Sequence, residues 1–391
     1  MLALRLVRGT HPLVLLRRLL VAAAAAGVGF LLLCTLGYAV GHPADAAAAS
    51  LRLLWCAIPL AATVYFAVAV ARTDPSIRPR PGLSAVGLGP ARLTALAAAS
   101  TAVSCTLGSM LALLFYLHLR GDITGMPFDG AAAELLAADQ PIPLAAALTL
   151  LAILPVAAST AAGLALRPRK NTAATSADGA EGPAPTGLPW GVALVAVGLA
   201  VETYAGQGGE GGTFPLPGRF EGSPGGVLAG WILTAVGLAM AGPGLTHWCG
   251  RLLQTARPGA VRLLAGRVLM GESRRIGRPL GVVCAVVSAA LAAGTLYGSG
   301  AGAGAGAGAG DFGPLSGLGA GLVLACTTAT LLTAALESKQ SRAHTTEALL
   351  RLGAPATVLR TAALMRAGVL LAVFLPVTWL VAELAAVPLR G

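Results

Sequence analysis

The sequence predicts an all-α polytopic membrane protein, with about nine (eight to ten) transmembrane helices in two repeats and short cytoplasmic helices between spans. Three observations lead there. The first is composition. Of the 391 residues 56% are hydrophobic and only 11% charged, with a mean hydropathy of +0.77, whereas a soluble domain carries about 25% charge. The second is the length of the apolar runs, at 19–41, 51–71, 94–119, 143–166, 188–205, 226–248, 280–299, 315–336 and 364–387. A helix needs about 20 apolar residues to cross a bilayer. Barrel strands instead leave weak alternating segments of about ten residues. The third is the placement of charge. With the N-terminus in the cytoplasm, only Arg52, Arg120, Arg219 and Arg390 of the 27 Lys and Arg residues fall outside. The opposite orientation violates the positive-inside rule at every loop.

The first run follows Arg5, Arg8, Arg17 and Arg18 and lacks a small-residue cleavage pattern, so it reads as a membrane anchor and not a removable leader. The run 188–205 is short and contains glycine, and is the weakest span. Residues 2–18 and 257–275 mix Leu and Val with Arg at helical spacing. Such segments suit the headgroup layer, apolar face down and arginines toward phosphate. The net charge of +11 therefore reports topology and contact with anionic lipids. Scattered over short segments, the basic residues do not make a nucleic-acid site.

The chain carries an internal repeat. Leu2, Ala3, Arg5 and Gly9 fall on Leu264, Ala265, Arg267 and Gly271, and Leu88-Gly89 falls on Leu352-Gly353. The spans and inner loops align at nearly the same offset. Five segments follow: a first repeat, 1–127, with three spans; an additional span within 128–166; a flexible cytoplasmic linker, 167–187, rich in Ala, Thr, Gly and Pro; a linking pair of spans, 188–250; and a second repeat, 251–391, comprising an interfacial helix and three spans. The run AGAGAGAGAG at 301–310 has no side chain capable of chemistry.

Catalytic and metal motifs are missing from the sequence. Neither Lys170 nor Lys339 follows a glycine, so no phosphate-cradling G-x-x-x-x-G-K-[ST] loop exists. The five histidines are dispersed, without H-E-x-x-H or G-x-S-x-G. The six cysteines, Cys34, Cys56, Cys105, Cys249, Cys284 and Cys326, lie in or beside apolar runs and read as small packing residues. No metal site, catalytic residue or directly bound cofactor is expected. Glu202, Glu383 and Arg366 are the charges closest to span interiors, and each sits near enough to an end to snorkel outward.

What remains is the inner face. In EALLRLGAPATVLRTAALM at 347–365, an amphipathic stretch is interrupted by Gly353-Ala354-Pro355. Gly353 can close one helix with a left-handed turn. Pro355 cannot extend that helix but suits the start of the next. Leu88-Gly89-Pro90 repeats the arrangement upstream. A short helix under the bilayer, turned rigidly into a span, makes a lever.

These residues resemble the FtsX-like (MacB-type) permeases of ABC transporters, in which a cytoplasmic Glu/Arg-rich helix runs into an LLRALGA turn and then a long span. The matching text is ALLRLGAPATVLRTAALMRAGVLLAVF at 348–374, and more loosely LSAVGLGPARLTALAAASTAV at 83–103. The resemblance implies that Val86, Leu88, Gly89 and Pro90, and Leu349, Leu350, Gly353, Ala354, Pro355 and Val358, couple to an ATPase. It implies a permease subunit of the cell membrane, not an enzyme itself. Separate nucleotide-binding subunits, working as a pair, would carry the ATP and magnesium. A second permease chain is a further expected partner, since the second repeat has three spans where the family has four. The expected cargo is amphipathic: a peptide antibiotic, a lipid or a lipid-linked molecule, exported or released from the membrane. The alternative is an ATP-independent secondary carrier or membrane scaffold. The residues that bind substrate are not legible.

Overall fold

A computed structural model describes residues 12–74, 90–123, 130, 132–133, 136, 138–167, 187–207, 225–255, 259–300, 314–353 and 355–387. The described residues form helices and turns without a strand. The helices are α1 (Pro12–Gly41), α2 (Ala46–Trp55), α3 (Ala57–Arg72), α4 (Pro90–Arg120), α5 (Leu144–Ala165), α6 (Gly187–Gln207), α7 (Gly225–Thr255), α8 (Ala260–Gly300), α9 (Pro314–Ser341), α10 (Ala343–Arg351) and α11 (Ala356–Ala386). Among the described residues, nine helical segments are long and apolar enough to cross a membrane, with α2 and α3 together making the second. Each coincides with one of the nine apolar runs. The reason is direct: in hydrocarbon every backbone N–H and C=O must be satisfied within its own segment. The protein is a multi-pass helical membrane protein.

The chain divides into two compact units, Met1–Ser176 with Phe312–Cys326, and Ala177–Asp311 with Thr327–Gly391. The division at 176/177 falls inside the Ala/Thr/Gly/Pro-rich segment, and α9 contributes its first half to one unit and its second to the other.

In the first unit α1 packs lengthwise on α4, and α5 packs on α4 and α3. Small residues set the α1–α4 distance. A Cβ on Gly108 would stand 2.3 Å from the Ala22 carbonyl oxygen, so no other residue fits that crossing unshifted. Toward the far end, Leu33, Cys34, Ala112, Tyr116, Leu136, Ala147 and Leu151 close a core. Arg120 fixes the chain after α4: buried, it donates to the carbonyls of Ala138 and Gln140 and lies 3.5 Å from Asp122.

In the second unit α6 and α7 form a close pair. Gly191 and Gly198 on α6, and Gly230, Gly237 and Gly244 on α7, recur every seven residues. That spacing returns a residue to one helix face every second turn, and each glycine here meets the opposite helix. A Cβ on Gly237 would lie 2.7 Å from the Val195 backbone nitrogen. On its other side α7 packs on α8, where the Thr246 hydroxyl donates across to the Ser273 carbonyl at 3.2 Å. Between α7, α8 and α11, Cys249, Leu253, Ala265, Leu269 and Ala362 form a buried cluster. The basic stretch expected to lie in the headgroup layer is not a separate element over its described part. Residues 260–275 are the first turns of α8, which runs unbroken for 41 residues. At 1.5 Å per residue that is roughly 60 Å, twice a hydrocarbon core.

All six cysteines are buried and free, as packing residues would be.

Candidate coupling site

The second Gly-Pro segment folds as a helix, a turn and a helix. α9 ends at Ser341, and α10 follows after Arg342. α10 is nine residues long, AHTTEALLR, and amphipathic. On its exposed face Arg351 pairs with Glu347 one turn earlier, at 2.6 Å. Gly353 then takes φ +87°, the left-handed conformation that L side chains resist, and its N–H bonds back to the Leu350 carbonyl at 3.0 Å. Pro355, in extended conformation, caps α11, and the Val358 N–H bonds to its carbonyl at 3.0 Å. From there α11 runs 31 residues without interruption. α10 and α11 are thus joined in sequence by a short turn at Gly353.

The predicted residues divide by position. Leu349 and Leu350 lie in the last turns of α10, Gly353 makes the turn, Pro355 caps α11 and Val358 lies in its first turn. Leu350 is 45% exposed and Leu352, just past the helix, 84% exposed. Two apolar side chains thus protrude beside the turn. Ala354 lies outside the described residues, as do Val86, Leu88 and Gly89 of the upstream copy. Pro90 opens α4, as the proline of the downstream copy stands at the start of α11.

Sequence reading missed the charges that hold this assembly. Arg342, between α9 and α10, places Nε 2.7 Å from the Glu272 carboxylate of α8. Its Nη2 donates to the Ser338 hydroxyl at 2.6 Å, and its Nε also donates to the Ser338 carbonyl at 3.1 Å. A second pair, Arg275 and Glu337, stands alongside at 3.7 Å. The first unit has a counterpart: Arg18 of α1 donates to Asp74, just past α3, at 2.6 Å. The signal for these ties was scarcity. With only 16 Asp and Glu in the chain, acids set among clustered arginines are natural partners.

One expectation fails. Glu202 does not snorkel. It is fully buried between α6 and α7, with one carboxylate oxygen accepting from Thr234 at 3.2 Å and the other without a hydrogen-bond partner among the described residues. The cause is the glycine seam, which brings the helices so close that the Glu202 side chain lies against Gly230. Arg366 instead turns back to the Ala362 carbonyl at 3.3 Å, and Glu383 is half-buried.

Among the described residues no three His, Cys, Asp or Glu side chains gather as a metal site would require. No family model matches this chain, and neither a curated protein nor a solved structure matches it. The functional reading consequently stands on the chain's own residues.

Proposed function

We propose that the chain is the membrane-spanning permease subunit of an ABC transporter, oriented with its N-terminus and coupling helices in the cytoplasm of the cell that bears it. The observation that carries this reading is the α10–Gly353–α11 unit, a short amphipathic helix with apolar side chains exposed beside a fixed turn into a span. Leu350 and Leu352 would enter a groove on a nucleotide-binding subunit. Closure of an ATPase pair would push α10, and α11 would transmit the displacement to the spans. The absence of a phosphate-binding loop from the sequence assigns ATP and magnesium to that partner. Walls of Ala, Gly, Leu and Val suit an amphipathic cargo, such as a peptide antibiotic, lipid or lipid-linked molecule, moved outward or released from the membrane.

The test is co-purification. Expressed with the products of its neighbouring genes, the tagged chain is expected to retain a nucleotide-binding subunit. Leu350→Asp with Leu352→Asp is expected to release it without lowering the thermal stability of the chain. Purification of the intact chain without any ATP-binding partner overturns the proposal.

Buried Glu202 favours a second reading, a proton-coupled secondary carrier, because carboxylates inside membranes usually serve transport. That reading predicts transport that survives ATP depletion and collapses with a proton uncoupler; the lead reading predicts the reverse.

A further inference from the structure

Resting on the coupling reading above, we propose that Glu272 and Arg342 are positioning residues, forming a clasp that ties the foot of α9 to α8 and so sets where α10 lies. A nine-residue helix cannot fix its own place. Isolated helices shorter than about 12–15 residues are marginal in water, and α10 packs lengthwise on no other helix among the described residues. Its position must come from its two ends. At the C-terminal end the Gly353 turn joins it to α11. At the N-terminal end stands Arg342, one residue before α10 begins.

Among the described residues the second half of α9 makes no extended helix-on-helix contact with α8 either. The ion pairs join this end of α9 to α8 directly. Arg342 is gripped on two sides, by Glu272 at 2.7 Å and by both oxygens of Ser338. Ser338 is fully buried, and the paired side chains are 27% and 16% exposed. A planar guanidinium can satisfy such divergent acceptors at once, whereas a lysine ammonium on a flexible stem cannot hold the same geometry. The α10 surface pair Arg351–Glu347, 78% and 59% exposed, lacks this enclosure, and fixes nothing beyond its own helix.

The first unit supplies an independent instance. There Arg18 of α1 reaches Asp74, just past α3 and ahead of the upstream Gly-Pro segment. In both repeats the first helix is tied to the end of the second span, immediately before the lever segment. Glu272–Arg342 has the reverse polarity of Arg18–Asp74, while the neighbouring Arg275–Glu337 has the same polarity, so both senses serve at this position. The tie itself is the shared feature, not the sign of either charge. A charge swap is therefore expected to preserve it.

The experiment uses the full-length chain in lipid nanodiscs, spin-labelled at Leu263→Cys on α8 and Ala348→Cys on α10. Wild type is expected to give one narrow distance population. Arg342→Gln is expected to lose it to a broad one. Glu272→Arg combined with Arg342→Glu is expected to restore it, and Ser338→Ala, which keeps the ion pair, to fall between. Each sample is first shown to elute as wild type does, and Ser338→Ala serves as the readout should Arg342→Gln fail to fold. An unchanged narrow population in Arg342→Gln, or no recovery in the folded charge swap, overturns the proposal. Both measurements are made without an ATPase. Failure of the co-purification above with an intact clasp would sink the transporter reading alone, and retained ATPase binding with an indifferent distance would sink the clasp alone.

Discussion

Each of the two compact units packs a pair of long helices together, α1 with α4 in one and α8 with α11 in the other, but the contacts differ. In the first unit α1 meets α4 across Gly108, with the Ala22 backbone directly against it, and α3 packs on α1 as well. In the second, α8 and α11 meet through Leu269 and Met365 as well as the small Ala265 and Ala362. Gly368 of α11 faces open space. The second span also differs. α3 packs on α1 and α5 and ends at one ion pair, while the second half of α9, with Thr330 and Ser338 buried, carries two ion pairs to α8. The same helical plan thus has one copy drawn together at a glycine and one in which two ion pairs add to the packing. Packing complementarity is lost when elements slide, while an ion pair can open and re-form.

Four substitutions test this contrast. The largest effect is expected at Gly108→Val. The added atoms must push α1 from α4, and overpacking of this kind costs about 1–3 kcal/mol; titration with denaturing detergent measures it. Next comes Gly353→Val. With φ at +87° an L residue pays about 1–2 kcal/mol, and a branched one suffers most. Because α10 stands apart from the packed helices, the loss is expected in ATPase binding and in the α8–α10 distance, with global unfolding little changed. Arg18→Gln ranks third. Arg18 is 41% exposed, so its pair is worth about 0–1 kcal/mol, and the α1–α3 packing remains. A small shift in denaturation midpoint is expected, smaller than that of Gly108→Val. Last, Gly368→Ala is expected to be neutral or to stabilise by about 0.5–1 kcal/mol through helix propensity, since nothing lies in the way of the methyl group. A strongly destabilising Gly368→Ala would mean that α8–α11 is as tight as α1–α4, erasing the contrast.

Glu202→Gln sharpens the choice of mechanism. It keeps an acceptor for Thr234 while removing the titratable group. Unchanged transport is expected for a permease driven by ATP, and abolished transport for a proton-coupled carrier; uptake or efflux in vesicles distinguishes them.

The spans were legible because their cause is local: a run either is long and apolar enough or is not. The Gly353 turn was equally legible, since a left-handed residue and a proline that can only begin a helix are written side by side. The Glu272–Arg342 pair was not, because its partners lie 70 positions apart and ordinary inner-loop composition conceals them. Glu202 was misjudged because position along a span says how far a side chain is from water lengthwise, but not what stands between. Seven-residue glycine spacing in α6 and α7 was a usable signal for that close approach, and it passed as weakness in a short span.

By itself the sequence determined the solvent, the helices and the turn, since each follows from transfer of a segment's own atoms into lipid or from one residue's backbone freedom. Only the tertiary structure decided which acid meets which arginine, that Glu202 is sealed off, and that α1 meets α4 across a glycine while α8 meets α11 through Leu269 and Met365. Those outcomes depend on distances between remote segments, where a few ångströms separate a hydrogen-bonded charge from a solvated one.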